Sequence, residues 1–234
     1  MMAEAEDKLY GWHLQLGRVE YARALAWQHG LVRMRREGFA RDTIITVEHP
    51  PVLTVGKDDN PENYARCGIT PVQIERGGDV TYHGPGQLVV YFIFNLTRRG
   101  RDLHKFMDDI QEGIIRTMAE YKLEAARGSE NTGVWIDKKK IASIGVAVKH
   151  WITFHGTAIN LNTDLSAFEQ INPCGLESSV MTSLNKHHGK DIDMDVFTRQ
   201  LLGHYGDVFQ TRFTPVDLEA LAEDVESQSG GEAI

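Results

Sequence analysis

The sequence predicts an α/β domain, a mixed sheet with flanking helices. Three observations carry that expectation. Segments with apolar residues at helical spacing stand beside runs of β-forming residues. Those runs come in adjacent groups with helices between the groups, without the strict strand–helix alternation of a dinucleotide-binding fold. The chain of 234 residues is also long enough to bury one full core.

Taken in order, Val19 to Arg36 places Ala22, Leu25, Ala26, His29, Leu31 and Val32 on a helical stripe and stops at Gly38. Thr43 to His49 and Val52 to Gly56 are β-like, split by Pro50-Pro51, and the polar stretch Lys57 to Gly68 reads as a loop. Val72 to Glu75 and Leu88 to Phe94 form two strands around a glycine-rich connection. Asp102 fits the N-cap of a second helix with Phe106, Ile110, Ile114 and Met118 on its apolar stripe. Gly133 to Ile136, Lys140 to Lys149 and Trp151 to Leu161 are consecutive strands, the first turn being Asp137-Lys138-Lys139. Asp195 to Phe209 and Pro215 to Ser227 read as C-terminal helices. Residues 1–214 are therefore expected to form a single domain, and 215–234 an acidic C-terminal helix and tail.

Hydrophobic content of 41% and charged content of 25% are those of an ordinary globular protein. No apolar run has the length needed to span a bilayer, and the acidic start lacks a secretion or organelle signal, so a cytoplasmic location is expected. Cys67 and Cys174 are expected as thiols. A formal net charge of −8 speaks against nucleic acid as the main partner. Six carboxylates without a Lys or Arg fall between Pro215 and Ile234, leaving basic clusters at Arg33/Arg35/Arg36, Arg98/Arg99/Arg101/Lys105 and Lys138/Lys139/Lys140. Such clusters are ordinarily solvated faces; they are also candidates for steering an acidic protein.

No phosphate-binding GxxxxGK[ST] and no GxGxxG after a strand is present. Neither cysteine has a CxxC partner and the histidines are scattered, so no metal site is expected. Arg76 to Gln87 reads RGGDVTYHGPGQ: four glycines and a proline interleaved with Arg76, Thr81, Tyr82, His83 and Gln87. Glycine lets a ligand touch the backbone, and the polar residues among them favour a binding loop over a bare hairpin.

Cys174, in NPCGL, is expected on a tight turn; Cys67 reads better as a small apolar residue. A free thiol with a pKa of about 8.5 is mostly protonated at neutral pH, so an attacking cysteine needs a cation or base beside it. Lys140 opens the apolar strand KIASIGVAV, which directs its stem into the sheet while Lys138 and Lys139 suit an exposed turn. Spacing alone does not pair Lys140 with Cys174.

These motifs together resemble the lipoyl(octanoyl) transferases. The matching blocks are EHPPVLTVG from Glu48, RGGDVTYHGPGQ from Arg76, NTGVWID from Asn131, KIASIGV from Lys140, HGTAINLNTDL from His155, and NPCGL followed by Thr182 to Leu184. They run in order over nearly the whole chain. The resemblance implies a biotin/lipoate protein ligase-like catalytic domain and a catalytic dyad of Cys174 and Lys140. It implies a substrate pocket of Arg76, Gly77, Gly78, Asp79, Val80, Thr81, Tyr82 and His83, with Ser143, Ile144, Gly145, Gly156, Thr157 and Ala158. The family pattern often has a bulkier apolar residue where Thr157 stands and glycine where Val90 stands.

The implied reaction moves an octanoyl group from octanoyl-acyl carrier protein to a lysine of lipoyl domains, on 2-oxoacid dehydrogenase E2 subunits and glycine cleavage H protein. It passes through an octanoyl-cysteine thioester with ping-pong kinetics. No cofactor, nucleic acid or membrane is expected; the acyl group arrives on the carrier's phosphopantetheine, and a monomer is expected. His83 is a reserve base. An ATP-dependent ligase of the same fold, a cysteine hydrolase using Cys174 with His83 or His155, and a non-catalytic binding module are the alternatives.

Overall fold

The computed structural model describes residues 9–128, 132–172, 178–219 and 221–222. Its strands are β1 (Leu9–Arg18), β2 (Thr43–Glu48), β3 (Val52–Val55), β4 (Val72–Gln73), β5 (Val80–His83), β6 (Gln87–Ile93), β7 (Ala125–Arg127), β8 (Gly133–Ile136), β9 (Lys139–Lys149), β10 (Ile152–Asn160) and β11 (Thr211–Pro215). The helices are α1 (Tyr21–Glu37), α2 (Leu103–Glu120), α3 (Leu184–His188) and α4 (Met194–Val208). Eight strands form one mixed sheet in the order β11-β1-β2-β6-β10-β9-β8-β7, and three form a smaller sheet, β4-β3-β5.

Period-two alternation on the central strand β6 builds two cores at once. Leu88, Val90 and Phe92 belong to the cluster shared with α2 and α4, whereas Val89, Tyr91 and Ile93 belong to the cluster under α1. Phe92 meets Tyr205 of α4 edge to face at 5.2 Å between ring centroids. Asp102 caps α2 by accepting the Lys105 N–H at 2.9 Å, as its place before the apolar stripe predicts. Gly38, at φ 89°, closes α1.

The glycine-rich stretch is not a hairpin loop. It contains β5, which pairs antiparallel with β3, while β6 turns away to pair with β2 and β10. Successive strands thus part into different sheets at Gly84-Pro85-Gly86. The chain enters the small sheet through Pro50-Pro51 after β2, and the two connectors are tied where the Gly86 N–H faces Glu48 Oε1 at 3.3 Å.

Three expectations need correction. β1 and β11 were not anticipated; both owe their pairing to parallel partners far away in sequence, β1 with β2 and β11 with β1. Only Val72–Gln73 of the segment to Glu75 is strand. Arg99 is no surface cation: it donates to Asp42, to the Phe209 carbonyl at 2.9 Å and to Thr211 Oγ1 at 2.9 Å. Asp42 is also held by Arg35 at 2.8 Å and by the Asn95 N–H at 3.0 Å, which joins α1, β2 and the segment before α2. Among the described residues no helix is long and apolar enough to cross a membrane.

Candidate active site

A cavity of about 560 Å³ opens where the two sheets part. β5 gives it Thr81 and His83, and the preceding loop gives Arg76, Gly77, Gly78 and Asp79. β9 contributes Lys140, Ser143, Ile144 and Gly145, and β10 contributes His155, Gly156, Thr157 and Ala158. Val80 and Tyr82 fall outside the lining. Alternation along β5 sends their side chains to the opposite face, among Leu53, Phe168 and Ile171. Tyr21, Asn60, Asn63 and Tyr91 line the cavity without having been singled out. The polar loop around Asn60 and the central strand around Tyr91 carry no local signal of that role.

The cavity floor depends on bare backbone. Gly145 and Gly156 are partners across β9 and β10. A Cβ on Gly145 would lie 2.9 Å from Arg76 Cδ, and one on Gly156 would lie 2.1 Å from the Val90 carbonyl oxygen. Arg76 spans the gap to the small sheet, donating to the Thr54 carbonyl at 2.9 Å. Thr157 Oγ1 donates to the Ser143 carbonyl at 2.8 Å, so the hydroxyl is spent within the sheet. His155 sits at φ 59°, and its ring lies beside Phe154 at 4.8 Å between centroids.

Lys140 is 3% exposed, and its ammonium lies 5.7 Å from the centre of the Trp135 ring. The stem enters the space left by Gly133, whose Cβ would come within 2.6 Å of Lys140 Cε. Lys138 and Lys139 are exposed. Cys174 lies outside the described residues. The chain on both sides of it is nevertheless held at the cavity. The Asn172 N–H donates to the Asn63 carbonyl at 2.8 Å, and the Thr182 N–H to the Lys140 carbonyl at 3.0 Å.

A buried chain of hydrogen bonds fixes the tautomer of His83. Asn160 Nδ2 donates to the Thr182 carbonyl at 3.0 Å, leaving its oxygen to accept Gln87 Nε2 at 3.0 Å. Gln87 Oε1 must then accept, so His83 donates from Nδ1 at 2.8 Å and carries its lone pair on Nε2. Burial pushes the imidazole down to about 3, so His83 is neutral at physiological pH. Burial likewise lowers His13 to about 4, and lowers His49 and His155. These histidines bind protons in the unfolded chain from its ordinary value of 6.5 downward, but in the folded chain only at lower pH. Folding stability therefore falls as pH drops below 6.5. His83 alone is expected to account for about 2 kcal/mol between pH ~7 and ~5. Urea titrations at several pH values check this, and His83→Gln should flatten the slope. An unchanged slope would show that His83 protonates freely in the fold.

Among the described residues no group of three or more His, Cys, Asp or Glu is placed to hold a metal ion.

Residues 20–206 match the family model of the lipoyl protein ligase A/B catalytic domain. The chain is 42% identical over 190 residues to an octanoyltransferase of Geobacter metallireducens, covering 81% of this chain and 89% of that protein. It is 42% identical over 196 residues to an octanoyltransferase of Syntrophotalea carbinolica, covering 84% and 93% respectively. Among solved structures, a lipoate-protein ligase A bound with ATP superposes with a TM-score of 0.75 over 94% of this chain and 93% of that one. At 16% identity that likeness speaks for the fold, and it agrees with the expected ligase-like architecture. The family model and the relatives alike span about four fifths of the chain, and the chain belongs to the lipoyl protein ligase A/B family, in its octanoyltransferase group.

Proposed function

We propose that this chain transfers the octanoyl group of octanoyl-acyl carrier protein to a lipoyl-domain lysine, through a thioester on Cys174. The observation that carries this reading is the placement of Lys140: a buried ammonium on the cavity wall, with its backbone carbonyl holding the chain that leads away from the cysteine. Lys140 pairs as an ammonium with the Cys174 thiolate, which attacks the thioester carbonyl, and it gives its proton to the departing phosphopantetheine sulfur, which leaves as the thiol. The lysine amine of a lipoyl domain then attacks octanoyl–Cys174, loses its proton to Lys140, and the cysteine thiolate leaves. Thioester exchange is nearly balanced and amide formation is downhill, so the reaction needs neither ATP nor a cofactor. The acceptors in this reading are E2 subunits of 2-oxoacid dehydrogenases and glycine cleavage H protein, met in the cytoplasm by a monomer.

Residues 1–214 serve as the catalytic unit in this reading. Packing of Leu221 into the cluster under α1 favours an acidic segment that begins against the domain.

The test is the intact mass of the protein after mixing with octanoyl-acyl carrier protein, without ATP, followed by peptide mapping. An octanoyl adduct on Cys174 that vanishes on adding a lipoyl domain, and is missing from Cys174→Ala, is expected. Product formed only from free octanoate and ATP would assign ligase chemistry instead. Free octanoate released without an acceptor would assign a hydrolase.

A further inference from the structure

We propose that the open edge of β9, from Ile144 to Val148, binds the phosphopantetheine arm of the acyl donor, with Trp151 and Arg101 receiving the arm's far end. The proposal rests on the octanoyl-transfer reading. Among the described residues β8 pairs with β9 only from Lys139 to Ser143, whereas β10 pairs with it up to Lys149. His150 and Trp151, at φ 52° and 63°, make the two-residue turn between β9 and β10. Such a turn makes Lys149 and Ile152 a hydrogen-bonded pair. Alternation from that pair gives the N–H and C=O of Ala147 and Gly145 to β10. Those of Ile144, Val146 and Val148 point the other way, to a side with no strand beside it among the described residues. An open apolar edge in water is a template for unwanted pairing, so this one is expected to have an occupant.

Each end of the edge meets a feature of the donor. Ile144 and Val146 line the cavity of Lys140, where the thioester has to lie. Val148, 36% exposed, lines a second, open depression with Arg101, Leu103, His150 and Trp151. Trp151 is 41% exposed, and the Arg101 guanidinium lies 5.6 Å from the centre of its ring. The carboxylate beside them, Asp102, is turned to the Lys105 N–H as the cap of α2.

The arm carries its groups in the same order. Two amides follow the sulfur, each with one donor and one acceptor, which is what an unpaired strand edge binds. A dimethyl carbon and then the phosphate come next, matching exposed Val148 and Trp151 and then Arg101. Sulfur to phosphorus is about 15 Å in the extended arm, and Ile144 to Val148 spans about 14 Å of strand. A strand of the acceptor domain or of a second copy would use the edge's N–H and C=O groups equally well. Neither accounts for an indole and a cation at its end; the donor arm accounts for both.

The test compares three octanoyl thioesters in transfer to a lipoyl domain: those of 2-mercaptoethanol, which has no amide, of pantetheine, and of 4′-phosphopantetheine. Val148→Pro removes one outward N–H and no bond to β10, a change that edge strands tolerate. In the wild type kcat/KM for the pantetheine ester should exceed that for the mercaptoethanol ester by about tenfold or more. Val148→Pro should cut that ratio about fivefold, the weight of one hydrogen bond. The phosphate should add about tenfold more in the wild type and little in Arg101→Asn, which suits the left-handed backbone there, φ 54°.

An unchanged ratio in a Val148→Pro protein of wild-type Tm would overturn the proposal. So would a raised KM for the lipoyl domain with the donor ratio unmoved, which gives the edge to the acceptor. A wild-type dimer in sedimentation that Val148→Pro separates, again with the donor ratio unmoved, would give it to a second copy. If Val148→Pro does not fold, the phosphate comparison decides, and a full phosphate gain in Arg101→Asn overturns the proposal. If the wild type turns over none of the esters, calorimetry with the unreactive amide analogue of octanoyl-phosphopantetheine separates the two readings. Weaker binding to both variants than to the wild type keeps the arm site while octanoyl transfer falls; equal binding ends both.

Discussion

Lys140→Met is expected to lower octanoyl transfer by about 10²–10⁴-fold, the range typical of removing a positioned acid–base group. Methionine matches the length of the buried lysine stem and fills the space over Gly133 while giving up the ammonium's contact with the Trp135 ring, so the fold should survive. The loss should appear in both half-reactions, acyl uptake and acyl release, because the same amine serves each. Lys138→Met is the control: Lys138 lies two residues away, exposed in the turn before β9. Single-turnover acylation followed by mass, alongside steady-state transfer to a lipoyl domain, separates the halves. Full activity in Lys140→Met, or a comparable loss in Lys138→Met, would contradict the role assigned to the buried lysine.

Asp42→Ala is expected to destabilise the protein by about 3–5 kcal/mol, the largest single-residue effect foreseen on folding. Its carboxylate accepts from Arg35, Arg99 and the Asn95 N–H, and it is 7% exposed. Removing it leaves the buried Arg35 guanidinium and the Asn95 N–H without this acceptor, and takes one of three partners from the partly buried Arg99. Asp42→Asn should cost less, because the amide oxygen still accepts one bond. Urea denaturation at neutral pH checks both variants; a change below about 1 kcal/mol in Asp42→Ala would show that water or another carboxylate compensates.

How much of this was legible in the sequence follows from where the determining contacts lie. Helix α2 was legible because its cap and stripe are local: Asp102 and the residues at i, i+3 and i+4 suffice. The β9–β10 hairpin was equally plain, and with it the direction of Lys140, since a cation opening an apolar strand has only two faces to choose from. β1 and β11 were not legible: LYGWHLQLGR and TRFTP pair in parallel with each other across most of the chain, and β1 also pairs with β2 on the far side of α1. The basic cluster at Arg98 to Lys105 misled at Arg99, because a run of like charges does not reveal that one member meets Asp42, fifty-seven residues earlier. Around the cavity, the glycine-rich motif announced itself, but Tyr21, Asn60, Asn63 and Tyr91 are supplied by tertiary placement alone. Within the motif, alternation on β5 splits residues that look equivalent on paper, Thr81 and His83 toward the cavity, Val80 and Tyr82 away from it.

The two proline-bearing connectors, Pro50-Pro51 and Gly84-Pro85-Gly86, leave and rejoin the main sheet side by side, tied by Glu48. Residues 52–83 therefore behave topologically as a cassette inserted at one point between β2 and β6. Lengthening or exchanging part of that cassette, such as the loop from Lys57 to Gly68, leaves the β2–β6 register untouched, and closing a longer loop costs little entropy. The cassette still has to keep Arg76, Asp79 and His83 at the cavity and the Asn63 carbonyl on the Asn172 N–H. Within that limit, loop grafts between relatives are the natural place to alter substrate fit without redesigning the core.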